Sequence, residues 1–155
     1  MSEQFAHGVV RHPGSSRRTD YLYRISIKSL IRNEKGEVLV VKEAGRTYWD
    51  LPGGGMDHGE NIMHAIAREM KEEVNLEGSF SYRIITTDEP AYSPKQSFWQ
   101  LRLIYEIKPR IMQFSAGEDG DEIAFINPDT LKTSPSLVEQ NIYNYTKLAS
   151  EAISL

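Results

Sequence analysis

Three glutamates of one short segment have a spacing that suits metal chemistry. Glu69, Glu72 and Glu73 are related by spacings of three, one and four positions. In a helix, at about 100° per residue, these spacings bring the three carboxylates within roughly 100° of one another around the axis. Such like charges repel each other, and a bound cation would relieve this repulsion. Magnesium is a suitable cation because it prefers oxygen ligands together with waters and substrate phosphates. These three glutamates are called the acidic strip below. Taken alone, such a strip is also typical of an ordinary solvated helix face that binds no metal.

A glycine-rich segment directly precedes the acidic strip. Residues 51–60 read LPGGGMDHGE, and glycines allow the backbone to turn sharply and to approach a ligand or a metal closely. Many glycine-rich segments are simple turns, so this one gains meaning from the carboxylates that follow it. The two features together favour a site for a metal ion and a phosphorylated ligand.

Composition limits the classes of protein to which the chain can belong. Its 155 residues, 39% of them hydrophobic and 26% charged, suffice for one domain with a buried core. A formal net charge of -4 argues against a protein that grips long nucleic acid, but a bound cation would let it hold a small phosphorylated ligand. The absence of cysteine excludes disulfides, thiolate metal sites and cysteine nucleophiles. No apolar run is long enough for a membrane span or a secretory signal, so we expect a cytoplasmic protein with no membrane partner.

Hydrophobic periodicity predicts the elements that come before the site. Residues 1–20 lack a sustained pattern and are predicted to form a flexible N-terminal arm, whereas residues 21–155 are predicted to form a single domain. Alternation over residues 21–28 predicts a half-buried strand. Its buried face would carry Tyr21, Tyr23, Ile25 and Ile27. This strand is predicted to form a hairpin with residues 37–41 through a turn at residues 33–36.

The acidic strip itself is predicted to lie on a helix that strands precede and follow. Residues 61–74 contain no glycine or proline and repeat apolar side chains at helical spacing. These apolar residues centre near Ile66 and Met70, so the acidic strip is predicted to border the buried face of the helix. Residues 46–51 are predicted to form a short strand that leads into the glycines. The other predicted elements are strands at residues 80–86, 98–107 and 122–126 and a closing helix at residues 135–154.

The glycines and the acidic helix together resemble the signature of the Nudix hydrolases. That signature is a glycine, five residues, a glutamate, seven residues and then Arg-Glu-apolar-any-Glu-Glu-any-Gly-apolar. In this chain the corresponding positions are Gly54, Glu60 and residues 68–76. Every fixed position matches except one, where Asn75 replaces the glycine. The helix ends there, at a position that commonly needs a left-handed backbone, and asparagine is the best-tolerated substitute for glycine in that conformation. We therefore expect little functional damage from this departure.

The resemblance implies an α/β fold in which a mixed sheet is sandwiched between helices, an α/β/α sandwich. It also implies that Glu69, Glu72 and Glu73 hold magnesium, with manganese as an alternative, and that the Gly53 carbonyl is a further metal ligand. Three other signature residues are expected to be structural: Gly54, Glu60 and Arg68. Glu60 lies near the helix start, where negative charge suits the helix dipole, and Arg68 would orient the neighbouring carboxylates.

The reaction that the resemblance implies is attack of water on a phosphorus of a diphosphate linkage. A carboxylate must accept a proton from that water, and the candidates are Glu69 and the acids of a later acidic stretch, with Glu122 and Glu118 favoured. Three residues are candidates for substrate contacts: Arg46, which would meet a phosphate or a terminal sugar, and Tyr48 and Trp99, whose rings would stack on a base.

Several alternatives remain open at the level of the sequence. The substrate would be ADP-ribose, a nucleoside triphosphate in normal or oxidised form, a dinucleoside polyphosphate or a capped RNA end. A different class of protein is a Nudix-like domain that has lost catalysis and only binds a nucleotide, as a sensor or partner module. A third reading is an accidental match, in which the acidic helix merely binds cations or stabilises the surface. A homodimer is compatible with the resemblance, but no interface pattern stands out.

Overall fold

The computed structural model describes residues 8–12, 14 and 19–151 and places two helices on opposite faces of a mixed sheet. The strands are β1 (Val9–Arg11), β2 (Thr19–Tyr21), β3 (Arg24–Leu30), β4 (Val38–Lys42), β5 (Gly53–Gly55), β6 (Phe80–Thr87), β7 (Ala91–Ser93), β8 (Phe98–Pro109) and β9 (Glu122–Ile126). The helices are α1 (Ile62–Val74) and α2 (Leu137–Glu151), with a short 3-10 helix at Pro128–Leu131.

The main sheet brings the glycines next to the strand at its centre. Its order is β5-β3-β8-β6, and β7 also pairs with β8. β3 and β8 run parallel, whereas β5, β6 and β7 are antiparallel to their neighbours. Separate antiparallel pairs are formed by β4 with β9 and by β1 with β2. The mixed sheet that the resemblance implies is therefore confirmed.

Two hydrophobic cores lie on the two sides of the strands, and β4 contributes to both. Leu39 and Val41 pack in the core that contains α1, whereas Val38 and Val40 pack in the core that contains α2. A continuous apolar strand is typical of a layer that is covered on both faces, and each fully buried side chain of this size stabilises the fold by roughly 1.5–3 kcal/mol. The helix-sheet-helix sandwich is confirmed by this division of the core.

The alternating burial predicted over residues 21–28 was wrong at most positions, although Ile27 is buried as predicted. Tyr23 and Ile25, predicted to be buried, are 48% and 38% exposed, whereas Ser26 and Lys28, on the predicted solvent face, are buried. β3 pairs on both edges and is covered on both faces beyond Ile25, so alternation does not describe it. The strand is also shorter at its start than predicted, because β2 ends at Tyr21 and β3 begins at Arg24.

Two predictions about the approach to the glycines were also wrong. The turn at residues 33–36 forms, but β4 pairs with β9, and a single bridge between Arg32 and Val38 replaces the predicted hairpin. Residues 46–51 make only an isolated bridge, through Asp50. The glycines themselves form the strand, β5, which pairs with β3. At Gly53, a Cβ would come within 2.0 Å of the Ile27 carbonyl oxygen, so only glycine allows this close pairing.

The remaining elements match the predictions closely. The helix predicted at residues 61–74 is α1, the closing helix is α2, and β6, β8 and β9 lie at the predicted places. Much of the arm predicted for residues 1–20 lies outside the described residues, as do residues 152–155, which include the end of the predicted closing helix. Within the part of the chain that the structure describes, neither helix has the length and apolar character needed to span a bilayer.

Candidate active site

The helix α1 sets how deeply each glutamate of the acidic strip is buried. The Asn61 side chain begins the helix by accepting a hydrogen bond from the His64 backbone N–H at 2.8 Å. The apolar face packs in the core and takes Glu73 with it, which is only 5% exposed. The Glu69 side chain is 12% exposed and that of Glu72 is 40% exposed. The three carboxylates thus extend from the core to the solvent, as expected for a strip that borders the buried face.

Arg68 connects the start of the helix to the acidic strip. Its guanidinium binds Glu60 through two hydrogen bonds of 2.9 and 2.8 Å, from Nε and Nη2. Nη1 donates to Glu69 at 2.7 Å and Nη2 to the Gly55 carbonyl at 2.9 Å. Hydrogen bonds from Arg68 and from the Asp57 backbone lower the pKa of Glu60 to about 2. A planar guanidinium is suited to such a fork, and the structural role of Arg68 and Glu60 stays a prediction.

The glycine strand β5 faces the carboxylates of Glu69 and Glu73 directly. The Gly53 N–H donates to Glu73 Oε2 at 2.6 Å, and a Cβ on Gly54 would lie only 2.7 Å from Glu69 Oε2. Burial raises the pKa of Glu73 to about 7, although Lys28 and the Gly53 N–H oppose this shift. Burial also raises the pKa of Glu69. The absence of side chains on the glycines is therefore what gives the carboxylates room beside the sheet.

A buried lysine, which the sequence reasoning missed, lies under the same strand. Lys28 forms an ion pair with Asp50 at 3.2 Å and donates hydrogen bonds to the carbonyls of Leu51 and Gly53 at 3.1 and 3.3 Å. The Gly53 carbonyl, predicted as a metal ligand, is thus in contact with an ammonium group. Nothing in a single sequence distinguishes this lysine from the solvated lysines of other strands, because its burial depends on pairing between distant segments.

The donor set of the acidic strip fits a hard cation. All three side chains offer carboxylate oxygens, the ligands that magnesium prefers. Arg68 is shared between Glu60 and Glu69, and Lys28 pairs with Asp50, so these two cations leave negative charge on the strip for a metal ion to neutralise. Among residues 8–12, 14 and 19–151, however, no three His, Asp or Glu side chains converge on one point. Glu69 and Glu73 are instead directed towards Arg68 and the Gly53 N–H.

Comparison with known proteins places the chain in a family. The family model described as NUDIX domain matches residues 22–147. The chain belongs to the Nudix family. An RNA pyrophosphohydrolase of Ruthia magnifica subsp. Calyptogena magnifica is 37% identical over 70 residues, which are 45% of this chain and 38% of the relative. A putative 8-oxo-dGTP diphosphatase of Bacillus subtilis (strain 168) is 34% identical over 67 residues, 43% of this chain and 45% of the relative. The matched segment thus spans less than half the length of either relative.

Solved structures share the Nudix fold over most of the chain. A MutT protein from Methanosarcina mazei Go1 superposes with a TM-score of 0.68 at 21% identity, covering 84% of this chain and 95% of that chain. An ADP-ribose pyrophosphatase from Streptococcus suis 89-1591 superposes with a TM-score of 0.58 at 19% identity, covering 86% and 94%. Likeness at such low identity shows the fold, which agrees with the Nudix sandwich described above.

The acids predicted outside the Nudix signature lie in different surroundings. Glu118 is in a loop at residues 115–121, whose backbone contacts the end of α1 through Gly117 and Asp119. Glu122 begins β9 and lies opposite Lys42, 3.8 Å from its ammonium group. The structure thus brings the loop of Glu118 to the last turn of α1, whereas Glu122 pairs with a lysine of the neighbouring strand.

The three predicted substrate contacts are dispersed. Arg46 pairs with Glu43 at 3.1 Å and lies over the Tyr48 ring at 5.7 Å. Trp99 instead joins an exposed aromatic cluster, with its ring centroid 6.3 Å from that of Tyr23 and 5.8 Å from that of Tyr92.

A cavity of about 680 Å³ lies beside the loop that connects β5 to α1. Arg24, His58 and Phe98 contribute to its walls. The guanidinium of Arg24 lies 5.8 Å from the centroid of the Phe98 ring and occupies the space where Gly55 would carry a side chain. The sequence reasoning did not select Arg24, because an exposed arginine near a strand end is ordinarily only solvated.

Proposed function

We propose that this Nudix protein is a magnesium-dependent pyrophosphohydrolase that cuts a diphosphate linkage in a small nucleotide-like substrate. The observation that carries the proposal is the graded burial of Glu69, Glu72 and Glu73 beside the glycine strand, with Glu69 oriented by Arg68. A merely solvated acidic face would not bury Glu73, nor would it be held by a guanidinium fork that is only 28% exposed. Manganese would replace magnesium at such an oxygen-rich site.

The chain's own residues divide the work of the reaction. Glu69, Glu72 and Glu73 would hold the metal, which when bound neutralises phosphate oxygens and lowers the pKa of water. Arg68, fixed by Glu60, holds the Glu69 carboxylate in one orientation. Glu69 or the nearby Glu118 would accept the proton of the attacking water.

The names of similar proteins narrow the class of substrate. RNA pyrophosphohydrolase, 8-oxo-dGTP diphosphatase and ADP-ribose pyrophosphatase all refer to a diphosphate linkage attached to a nucleoside. The net charge of -4 favours a small substrate over a long nucleic acid. The cavity at Arg24 and Phe98 offers a cation and a ring to the group beyond the diphosphate, and Arg46, Tyr48 and Trp99 remain further candidates.

Turnover of a substrate panel tests the proposal. The protein is incubated with magnesium and ADP-ribose, nucleoside triphosphates, 8-oxo-dGTP, dinucleoside polyphosphates and a short 5′-triphosphate RNA, and the products are resolved by chromatography. Glu73→Gln is compared with Glu77→Gln, a control at an exposed glutamate that lies beyond the end of α1 and pairs with Lys71.

We expect one substrate class to be cleaved, the reaction to stop with chelator, and Glu73→Gln to lower kcat at least about a hundredfold, equivalent to roughly 2.7 kcal/mol. Glu77→Gln should retain the activity of the unmodified protein. Binding of magnesium and nucleotide without turnover of any substrate would instead support the nucleotide-binding sensor module.

A further inference from the structure

The loop at residues 115–121, here called the acidic loop, covers the C-terminal end of α1. The last carbonyls of a helix have no partner within the helix and need donors from elsewhere. Here the donors are backbone N–H groups of alternate residues of the acidic loop. The hydrogen bonds are Ser115 to Val74 at 3.2 Å, Gly117 to Glu73 at 2.9 Å and Asp119 to Glu72 at 3.1 Å. The backbone of two glutamates of the strip is thus bound directly to the loop that carries Glu118.

The fit between loop and helix leaves no spare space. A Cβ on Gly117 would come within 2.0 Å of the Glu72 carbonyl oxygen, and one on Gly120 within 2.6 Å of the Glu73 carbonyl oxygen. Both obstacles are backbone atoms, which cannot move aside as a flexible side chain does. The backbone of Glu118 and Asp119, between these two glycines, is therefore held against the last turn of α1, which carries Glu72 and Glu73.

Asn75, the residue that departs from the Nudix signature, provides a side-chain contact to the same loop. Its backbone is left-handed, with φ 53° and ψ 39°, as expected for the residue that ends the helix. Its Nδ2 donates to the Ser115 hydroxyl at 3.0 Å and to the Ala116 carbonyl at 3.1 Å. Glycine would give the same backbone without these bonds. Asparagine here is thus more than a tolerated replacement for glycine.

We propose that Asn75 is a positioning residue that fixes the acidic loop against α1, so that Glu118 and Asp119 stay beside the acidic strip during the reaction. The proposal rests on the proposed function for its catalytic consequence, whereas the contact between Asn75 and the loop does not depend on it. Asn75 acts through the loop and does not itself touch the substrate.

Asn75→Gly provides the test, because glycine favours the left-handed backbone and preserves the end of the helix. Ser97→Gly is a matched control at another residue with positive φ, 59°, in the turn before β8. Amide hydrogen exchange is measured by mass spectrometry over residues 115–121, with α1 as an internal reference. Kinetics are measured with the substrate found in the panel, also in a background of Glu118→Gln with Asp119→Asn.

We expect Asn75→Gly to speed exchange in the acidic loop about five- to tenfold, the effect of losing about one net hydrogen bond, and to leave α1 protected. It should lower kcat about tenfold with less than a twofold change in KM, and cause no further loss in the Glu118→Gln, Asp119→Asn background. Asn75→Asp, which replaces the donor with an acceptor facing Ala116, should behave like Asn75→Gly. Ser97→Gly should change neither loop exchange nor kcat.

Unchanged exchange in the acidic loop of Asn75→Gly would overturn the proposal, as would faster loop exchange with unchanged kcat. An equal loss of kcat in the background that lacks both acids would also overturn it, because Asn75 would then act by another route. If the unmodified protein cleaves no substrate, the proposed function fails, and the exchange measurement still decides whether Asn75 holds the loop.

Discussion

Substitution of Gly54 by alanine should change the geometry of the site, and hence the catalytic rate, with little effect on the stability of the fold. The backbone of Gly54 is not in the left-handed region, so alanine adopts it without strain. The added Cβ would lie 2.7 Å from Glu69 Oε2 and 2.8 Å from Oε1 and Cδ. Ordinary contacts of a Cβ begin near 3.4 Å, and the Glu69 carboxylate must therefore retreat by about 0.7 Å.

The two consequences of this displacement differ greatly in size. A carboxylate at the end of a flexible side chain moves cheaply, so we expect Gly54→Ala to lower the free energy of unfolding by less than about 1 kcal/mol. Catalytic geometry is far less tolerant, because misplacement of a positioned group by about 1 Å costs about a hundredfold in rate. The retreat also strains the 2.7 Å hydrogen bond from Arg68 to Glu69. We expect kcat/KM of Gly54→Ala to fall between about thirtyfold and a hundredfold.

The assay pairs steady-state kinetics at saturating magnesium with urea denaturation, and Gly36→Ala is its control. A Cβ at Gly36 meets nothing within 4 Å, but its φ of +78° strains any side chain. Gly36→Ala should therefore lose about 1–2 kcal/mol of stability with unchanged kcat, the reverse of Gly54→Ala. A Gly54→Ala protein that keeps kcat/KM within twofold would refute the reasoning that Glu69 needs its present position.

Two further predictions concern buried charges. Glu106, only 3% exposed, lies between Arg32 and Arg83, and Glu106→Gln should destabilise the fold by about 2 kcal/mol in urea denaturation while turnover per folded molecule stays the same. A destabilisation below about 0.5 kcal/mol would mean that the ion pairs of Glu106 with these partly exposed arginines contribute little to the stability of the fold. Lys28→Met leaves the Asp50 carboxylate buried without its cation and should cost about 3 kcal/mol. Lys28→Met combined with Asp50→Asn should recover at least half of that loss in the same assay, and full additivity of the two substitutions would exclude their coupling.

Elements whose pattern is local were predictable from the sequence, and those defined by pairing were not. The helix α1 was predicted almost to the residue because its apolar spacing and its lack of glycine and proline are contained in one segment. β3 was misread because its burial depends on β5 and β8, which are distant in sequence. The predicted hairpin failed for the same reason, since β4 finds its partner about 80 residues later in β9.

The candidate site shows the same division. The helical spacing predicted that Glu69, Glu72 and Glu73 share a face at the border of the core. It did not predict their graded burial, which the packing of α1 on the sheet determines. Two other features cannot be predicted from a single sequence: the burial of Lys28 beside the glycine strand and the contact of Asn75 with the acidic loop. Both arise where segments separated by more than 20 residues meet.

The assignment of the glycines to a strand changes how the site should respond to substitution. If the glycines formed a loop, the backbone would shift to accept a new side chain, and the carboxylates of α1 would keep their positions. In β5, Gly53, Gly54 and Gly55 are instead in register with Lys28, Ile27 and Ser26 of β3. Groups supported by regular elements are positioned more precisely than groups on loops. The carboxylates of α1 therefore face a fixed surface, and a methyl group added at Gly54 must move Glu69, because the paired strand cannot yield.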